Sequence, residues 1–382
     1  MLFRVGKKLT YGIAIDCGTS GVRAALYSHE GAGPRVRPAV SRVMRLPFDV
    51  AAYGAADMLQ RRTVDALRRI FEQIPARTNV SAICIGLSSP FYISKTMRAV
   101  RQRAHASSLV TRLELDALLS ETAAGCARDL FPDMPESEIH LFNRFIVKTL
   151  MNGYIVSEPV GKAGKTIEMH VRFELTTRKV YHELTRHAAR AFPAARIRAC
   201  SVPAAYFYAL TDHFDGEEGF LLIDIGGEVS DVLLVENGAL ERVFSLGLGT
   251  NLFLREVAAL LHISLPDAAF IVRRYAEHML EENRLQQLAS LIASYQKTWQ
   301  ARFNAIWERH AKDREIPPRI LVTGGGVLPF HTELLAQLPT SQIPATVVMP
   351  SILGASFTGH QFGGMSDTAL ACITLLCARG VL

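Results

Sequence analysis

The chain has 382 residues, of which 49% are hydrophobic and 20% charged, and its 42 lysines and arginines outnumber its 36 aspartates and glutamates. That length is too great for one compact core and predicts two or three domains. The mild basic excess gives no nucleic-acid signature, and no apolar run reaches the roughly 18 residues that a membrane-spanning helix needs.

The first segment of the chain predicts two strands around a glycine-rich turn. The strands are Gly12–Asp16 and Val22–Tyr27, and Cys17-Gly-Thr-Ser-Gly21 lies between them. Apolar spacing and runs of apolar residues predict the elements that follow. They are a strand at Val36–Leu46, a helix at Asp57–Gln73 and a strand at Ser81–Leu87.

From Phe91 to Arg178 the sequence changes character. Basic, strand-like residues come first, then an acidic helical segment at Leu113–Leu130 and a β-rich stretch at Phe145–Leu175. This order predicts a small α+β domain inserted into the first half. A helix at Val180–Ala191 and a strand at Ile197–Val202 then resume the alternating pattern.

The second half opens as the first does, with a strand, an aspartate, a glycine turn and a second strand. Phe220–Asp224 and Asp231–Glu236 are these strands, and Asn237-Gly238 is a strong hairpin turn before Leu240–Leu246. The later predicted elements are helices at Asn251–Leu261, Pro266–Leu280 and Arg284–Ala311, a strand at Ile320–Thr323, and helices at Phe330–Gln337 and Asp367–Ala378. Two similar halves predict a duplicated α/β architecture with a cleft between them.

Three glycine-rich loops are the candidate functional elements. Asp16-Cys-Gly-Thr-Ser20 and Asp224-Ile-Gly-Gly227 each place an aspartate at a strand end before small residues. Glycines let backbone N–H groups approach an anion, and an aspartate can hold a hydrated Mg²⁺ or orient a water. The third loop, within Val322–Pro329, carries a strand into three glycines and suits close approach to a nucleoside.

This order of loops resembles the actin-like ATPase superfamily. The resemblance implies an α/β actin-like ATPase fold, with two ribonuclease-H-like lobes around a nucleotide cleft and a small inserted α+β subdomain. The implied boundaries are 1–90 and 179–212 for the first lobe, 91–178 for the inserted subdomain, and 213–382 for the second lobe with its helical subdomain.

The resemblance also implies the ligands, ATP and Mg²⁺. It assigns Asp16 and Asp224 as the catalytic pair, which hold the metal through water. The residues implied to bind nucleotide are Gly18, Thr19, Ser20, Gly226, Gly227, Ser230, Gly324, Gly325, Gly326 and Val327.

Within the inserted segment, the stretch 151–177 resembles the FtsA family of bacterial division proteins. The matching positions are Gly153, Pro159, Gly161, Gly164 and His170. This resemblance implies an ATP-binding adaptor that self-associates into a filament or dimer. It also implies that the adaptor links an FtsZ-like tubulin-family GTPase of the division ring to the membrane.

Two alternatives use the same fold. A PilM-like scaffold of type IV pilus assembly would grip a cytoplasmic peptide of a membrane protein through the inserted subdomain. A small-molecule kinase would need a substrate-binding set in the first half, and Phe91–Leu150 supplies no convincing one. No alternative includes nucleic acid.

Two departures from the FtsA pattern predict at most a weak ATPase. Glu228 replaces a glycine and Val229 a hydroxyl donor in the second phosphate loop. A carboxylate facing a phosphate costs about 4 kcal/mol at an effective dielectric constant of 20, unless it turns away or ligates the metal. Phe270 and Arg273 stand where family members often carry a Glu and a Lys that grip the nucleoside.

The composition also predicts where the protein is found. Six cysteines without a CxxC pair predict reduced thiols, and no signal peptide is recognisable, so we expect a cytoplasmic protein. The stretch Ala369–Cys377 lacks a basic face and predicts a core helix, and Met1–Leu9 is a weak candidate for membrane contact. We therefore expect the protein to reach the inner face of the cell membrane mainly through a partner.

Overall fold

A computed structural model describes residues 9–50, 56–75, 77–214, 219–336 and 345–381. The strands within them are β1 Leu9–Gly18, β2 Gly21–Glu30, β3 Ala39–Pro47, β4 Val80–Leu87, β5 Ile93–Gln102, β6 Ile139–Met151, β7 Tyr154–Ile155, β8 Thr166–Thr177, β9 Arg196–Ser201, β10 Phe220–Ile225, β11 Ser230–Glu236, β12 Ala239–Leu246, β13 Ile320–Thr323 and β14 Thr346–Val347. The α-helices are α1 Ala56–Glu72, α2 Arg112–Leu130, α3 Arg178–Ala191, α4 Val202–Phe214, α5 Thr250–Leu261, α6 Leu265–Ala276, α7 Glu282–Ala311, α8 Pro329–Leu335 and α9 Thr368–Ala378.

The two halves contain matching five-stranded sheets, in the orders β3-β2-β1-β4-β9 and β12-β11-β10-β13-β14. In each sheet the first strand of the half pairs antiparallel with the second and parallel with a later strand. α4 and α9 fill the core between the two sheets, where they pack on residues of both. α1 and α3 cover the outer face of the first sheet, and α5 to α8 cover that of the second.

The third sheet has the order β5-β8-β6-β7, and α2 packs on one face of it. Its strands all fall within 91–178, the range that the sequence assigns to the inserted subdomain. β5 lies at an edge of this sheet, and β12 lies at an edge of the second lobe's sheet. Edge strands keep a row of backbone groups free for a further strand.

Most predicted elements are present, with shifted ends. The Asn237-Gly238 turn has φ values of 50° and 68°, as a tight hairpin requires. The strand predicted to reach Val202 ends at Ser201, because Val202 begins α4, a helix that the sequence pattern did not indicate. The predicted helix end at Gln337 and nearly all of Met1–Leu9 lie outside the described residues. Among the described helices, none combines the length and apolarity that crossing a membrane demands.

Candidate functional site

The structure brings the three glycine-rich loops together at the ends of β1, β10 and β13. Asp224 pairs in register with Thr323, so the second and third loops leave the sheet side by side. A cavity at this point is lined by both aspartates of the predicted pair and by six of the ten residues assigned to nucleotide. Those six are Gly18, Thr19, Ser20, Gly226, Gly324 and Gly325.

The other four assigned residues lie outside that lining. Gly227 faces the first loop, since a Cβ on it would come 3.1 Å from the Ser20 Cβ. Gly326 packs against the second loop. Ser230 is buried and donates to the Leu248 carbonyl at 2.7 Å, and Val327 packs into the core of the second lobe.

Close packing between loops explains the glycine at position 324. Its φ is +104°, and a Cβ there would come 2.3 Å from Oδ1 of Asp224 and 2.4 Å from the Ile225 carbonyl oxygen. Any side chain would therefore collide with the second loop while adopting a backbone conformation that strongly favours glycine.

The predicted catalytic aspartates both have partners within the protein. Asp16 accepts a hydrogen bond from Nη1 of Arg23 at 3.3 Å, and Asp224 accepts one from the Tyr206 hydroxyl at 3.1 Å. Burial raises the pKa of Asp16, although Arg23 opposes the shift. Burial, with the charges of Asp231 and Asp16, raises the pKa of Asp224 to about 7. Each carboxyl is thus held in a site that disfavours its ionised form.

Glu228 turns away from the cavity. Its carboxylate accepts hydrogen bonds from Arg255 at 3.0 and 2.9 Å and from Asn251 at 2.8 Å. Burial acts to raise its pKa, but the bonds from Arg255 and Asn251 outweigh burial and lower it. Its backbone N–H points the other way and donates to the Thr19 hydroxyl at 3.1 Å, which joins the two loops.

In this conformation the cavity between the loops is smaller than ATP with Mg²⁺ requires. The cavity has a volume of about 40 Å³, whereas pockets for small-molecule ligands typically measure about 300–1,000 Å³. The N–H groups of Gly226 and Gly326 donate within the loops, to Val229 at 3.0 Å and Ile225 at 2.8 Å. Two of the loop N–H groups are therefore already paired within the second and third loops in this conformation.

Phe270 and Arg273, at the expected nucleoside clamp, do not line this cavity. Phe270 lies on α6 with 61% of its surface exposed, and Arg273 is also exposed. The structure thus places no clamp from these two side chains beside the loops.

A larger groove, which the sequence did not reveal, lies between the inserted sheet and the second lobe. It has a volume of about 800 Å³ and runs between the edge strands β5 and β12. Its apolar lining includes Phe91, Ile93, Leu130, Phe131, Val180 and Val243. In the sequence, only the apolar run that begins at Phe91 hinted at this groove, because its other walls come from distant parts of the chain.

The groove continues into a second, polar cavity of about 370 Å³, which we call the basic end. The two cavities share Ser94, Lys95, Val243 and His310. The charged and histidine side chains of the basic end are Lys95, Arg98, His170, Arg172, Glu241, Arg242, Arg309 and His310. Four of these cations already pair with carboxylates: Lys95 with Asp129, Arg98 with Glu168, Arg172 with Glu174, and Arg242 with Glu241 and Asp313. The attraction for an acidic ligand group therefore comes mainly from Arg309, which is exposed.

Comparison with known proteins places the fold. No family model matches the chain, and no curated protein matches its sequence. The PilM-PilN type IV pilus biogenesis complex aligns with a TM-score of 0.63 and 17% identity, over 97% of this chain and 98% of that chain. EutJ of Carboxydothermus hydrogenoformans aligns at 0.47 and 10% identity, over 98% and 92%. MreB5 of Spiroplasma citri, bound to ADP, aligns at 0.42 and 12%, over 96% of each chain.

The chain therefore has the actin-like ATPase fold, as its three loops predicted. The likeness to the PilM structure extends over nearly the full length of both chains. At 17% identity it concerns the fold alone and leaves the FtsA-like and PilM-like predictions both open.

Proposed function

We propose that this chain is a PilM-type scaffold of type IV pilus assembly, which binds an extended cytoplasmic segment of a membrane protein. The observation that carries the proposal is the groove of about 800 Å³ between β5 and β12. Support also comes from the full-length structural likeness to PilM, which is described in complex with PilN. The boundaries predicted from the sequence, with 91–178 as the inserted subdomain, are part of this proposal.

The groove has the chemistry that an extended peptide needs. Its two flanking strands are sheet edges, so a peptide lying along either one gains backbone hydrogen bonds by strand addition. Apolar side chains on one face of the peptide would pack against Phe131 and Val243. An acidic residue further along would lie at the basic end, near Arg309. We therefore expect a partner segment with apolar residues followed or preceded by carboxylates.

In this proposal, the partner determines where the protein is located in the cell. A membrane protein's cytoplasmic segment, bound in the groove, would hold the chain at the inner face of the membrane. ATP with Mg²⁺, which the resemblance implies, could enter the cleft only after the Thr19–Glu228 and Asp16–Arg23 contacts part. Any ATPase activity is accordingly expected to be weak.

An FtsA-like division adaptor is the second candidate, supported by the motif that includes Gly153, Pro159 and His170. It predicts binding to an FtsZ-like GTPase and self-association through the inserted subdomain. The kinase alternative has less support, because a cavity of about 40 Å³ leaves no space for a second substrate.

The test is a binding measurement on the purified full chain. The probes are the fluorescently labelled cytoplasmic peptide of a membrane protein encoded beside this gene, and the FtsZ-type GTPase of the same cell. We expect saturable anisotropy changes with the peptide and none with the GTPase. The reverse result would replace the pilus proposal with the division adaptor.

A pair of leucine substitutions locates the binding. Leu130→Asp puts a charge into the apolar groove, whereas Leu260→Asp makes the same change on α5, outside its lining, at a residue that is 45% exposed. We expect the first variant to lose peptide binding and the second to keep it. Equal binding by both would show that the peptide sits elsewhere.

A further inference from the structure

We infer that Arg23 occupies the functional place that the resemblance gives to Mg²⁺ and nucleotide, so that the protein itself holds its cleft closed. The inference concerns the cleft between the lobes and does not rest on the proposed peptide groove. Its basis is the position of one guanidinium, the charge around it and the direct contact between the two phosphate loops.

The position of Arg23 comes first. It lies on β2, its side chain is 17% exposed, and its guanidinium reaches across to Asp16 at 3.3 Å and to Asp367, just before α9, at 3.9 Å. A Cβ on Gly325 of the third loop would come 3.5 Å from its Nη2. Arg23 is thus enclosed by the first loop, the third loop and the beginning of α9.

The charge balance explains why a cation belongs there. Asp16, Asp224 and Asp231 line the cavity, and Arg23 is the one cation among the described residues that line it. Without a positive charge, these buried carboxylates would repel one another at short range. Asp367, fully buried, also accepts hydrogen bonds from Arg45. The guanidinium supplies the compensation that a metal ion supplies in a nucleotide site.

The contact between the phosphate loops completes the closure. The Glu228 N–H donates to the Thr19 hydroxyl, so this loop donor is not available to a phosphate, although the hydroxyl keeps its own proton to donate. The Glu228 side chain is fixed at the same time by Arg255 and Asn251. A nucleotide would have to break this bridge and displace Arg23 before it could bind. The closed arrangement therefore needs no ligand.

The first test measures nucleotide directly. Isothermal titration calorimetry of the full chain with millimolar ATP or ADP and Mg²⁺ should show no binding. Hydrogen exchange at residues 18–20 and 226–228 should be slow without nucleotide and unchanged by its addition. Micromolar binding, or protection that appears only with Mg²⁺ and ATP, would overturn the inference.

The second test removes the guanidinium. Arg23→Ala should accelerate exchange in both loops by about tenfold, and Arg23→Lys, which keeps the charge, should accelerate it less. Arg61→Ala, at an exposed arginine of α1, is the matched control and should leave both loops unchanged. Unchanged exchange in Arg23→Ala would count against the inference, and if that variant does not fold, Arg23→Lys and the wild-type measurements decide. Peptide binding is measured in a separate experiment. The exchange and calorimetry results can therefore still be interpreted if the groove proposal fails.

Discussion

Ile373 of α9 fills the space that a side chain at Gly86 of β4 would need. A Cβ on Gly86 would come 2.2 Å from Cδ1 of Ile373 and 3.1 Å from the Ile15 carbonyl oxygen. Both residues belong to the contact between the first sheet and the helix pair that separates the sheets. The glycine therefore sets how closely α9 approaches β4.

This contact predicts coupled stability changes. Gly86→Ala should destabilise the protein by about 1–3 kcal/mol through overpacking, and Ile373→Val alone by about 1 kcal/mol through a lost methylene group. The double variant should lose less stability than the two single losses added together, because valine lacks the Cδ1 that would collide with the new Cβ. Urea unfolding provides the measurement. Gly125→Ala in α2, where a Cβ meets nothing within 4 Å, is the control and should not destabilise the protein. Strictly additive stability losses at positions 86 and 373 would show that the two side chains do not collide.

The Glu228–Arg255 pair predicts a pH-dependent stability contribution. Glu228→Gln should lower the free energy of unfolding at neutral pH by about 1 kcal/mol, a value reduced because the glutamate side chain is 33% exposed. Its folded-state pKa is lowered, so this contribution is present above the usual glutamate pKa and disappears as the pH falls through the folded value.

The measurement is chemical denaturation of wild type and Glu228→Gln at neutral and acidic pH. The difference between them should shrink in acid. Asp65→Asn, at an exposed carboxylate of α1, is the control for general effects of charge. A difference that stays constant with pH would mean that Arg255 contributes nothing through charge.

The sequence alone was sufficient to predict the elements whose geometry is set by neighbouring residues. The Asp16 and Asp224 turns and the Asn237-Gly238 hairpin are short motifs whose geometry depends on neighbouring residues, and the structure contains all three. Together with the third glycine loop they specify the fold. α4 was missed because Val202–Phe214 is mostly apolar and lies between two sheets, so it shows little amphipathic period.

The site depends on contacts that no local pattern contains. Arg23 lies opposite Asp16 in the β1–β2 hairpin that the sequence predicts, so that contact is local, whereas only the fold brings Arg23 to Asp367. The departure at Glu228 was visible in the sequence, but its partner Arg255 lies on a separate helix. The groove combines strand β5 with the far end of α7, so its volume could not be anticipated from either segment.

His331 predicts a loss of stability in acid. It is fully buried, and its Nδ1 accepts the Leu328 N–H at 2.9 Å, which places the ring proton on Nε2. Burial lowers its pKa to about 3, and accepting the Leu328 N–H also requires an unprotonated Nδ1. The unfolded chain therefore binds the proton more readily, and stability should fall by roughly 3–5 kcal/mol as the pH drops from about 6.5 towards 3.

Comparing His331→Gln with wild type by denaturation across that range isolates this contribution. The glutamine oxygen can accept the same N–H and does not titrate, so the variant should show a flatter pH dependence. His105→Gln, at an exposed histidine, should keep the wild-type slope. Identical slopes for wild type and His331→Gln would exclude His331 as the acid-sensitive group.

The basic end of the groove predicts how peptide affinity responds to charge, if the proposed function holds. Arg309 is exposed at this end, and Arg309→Glu should weaken binding of an acidic peptide by about three- to tenfold through lost attraction and new repulsion. Arg273→Glu makes the same charge change on α6 and should have little effect. Added salt should weaken wild-type binding more than that of Arg309→Glu, because screening acts on the exposed charges. Anisotropy titrations would compare the native peptide with a peptide whose acidic residues are replaced by alanine. The effect of Arg309→Glu on affinity should disappear with the alanine peptide. An equal loss of affinity with both peptides would assign Arg309 a role other than charge recognition.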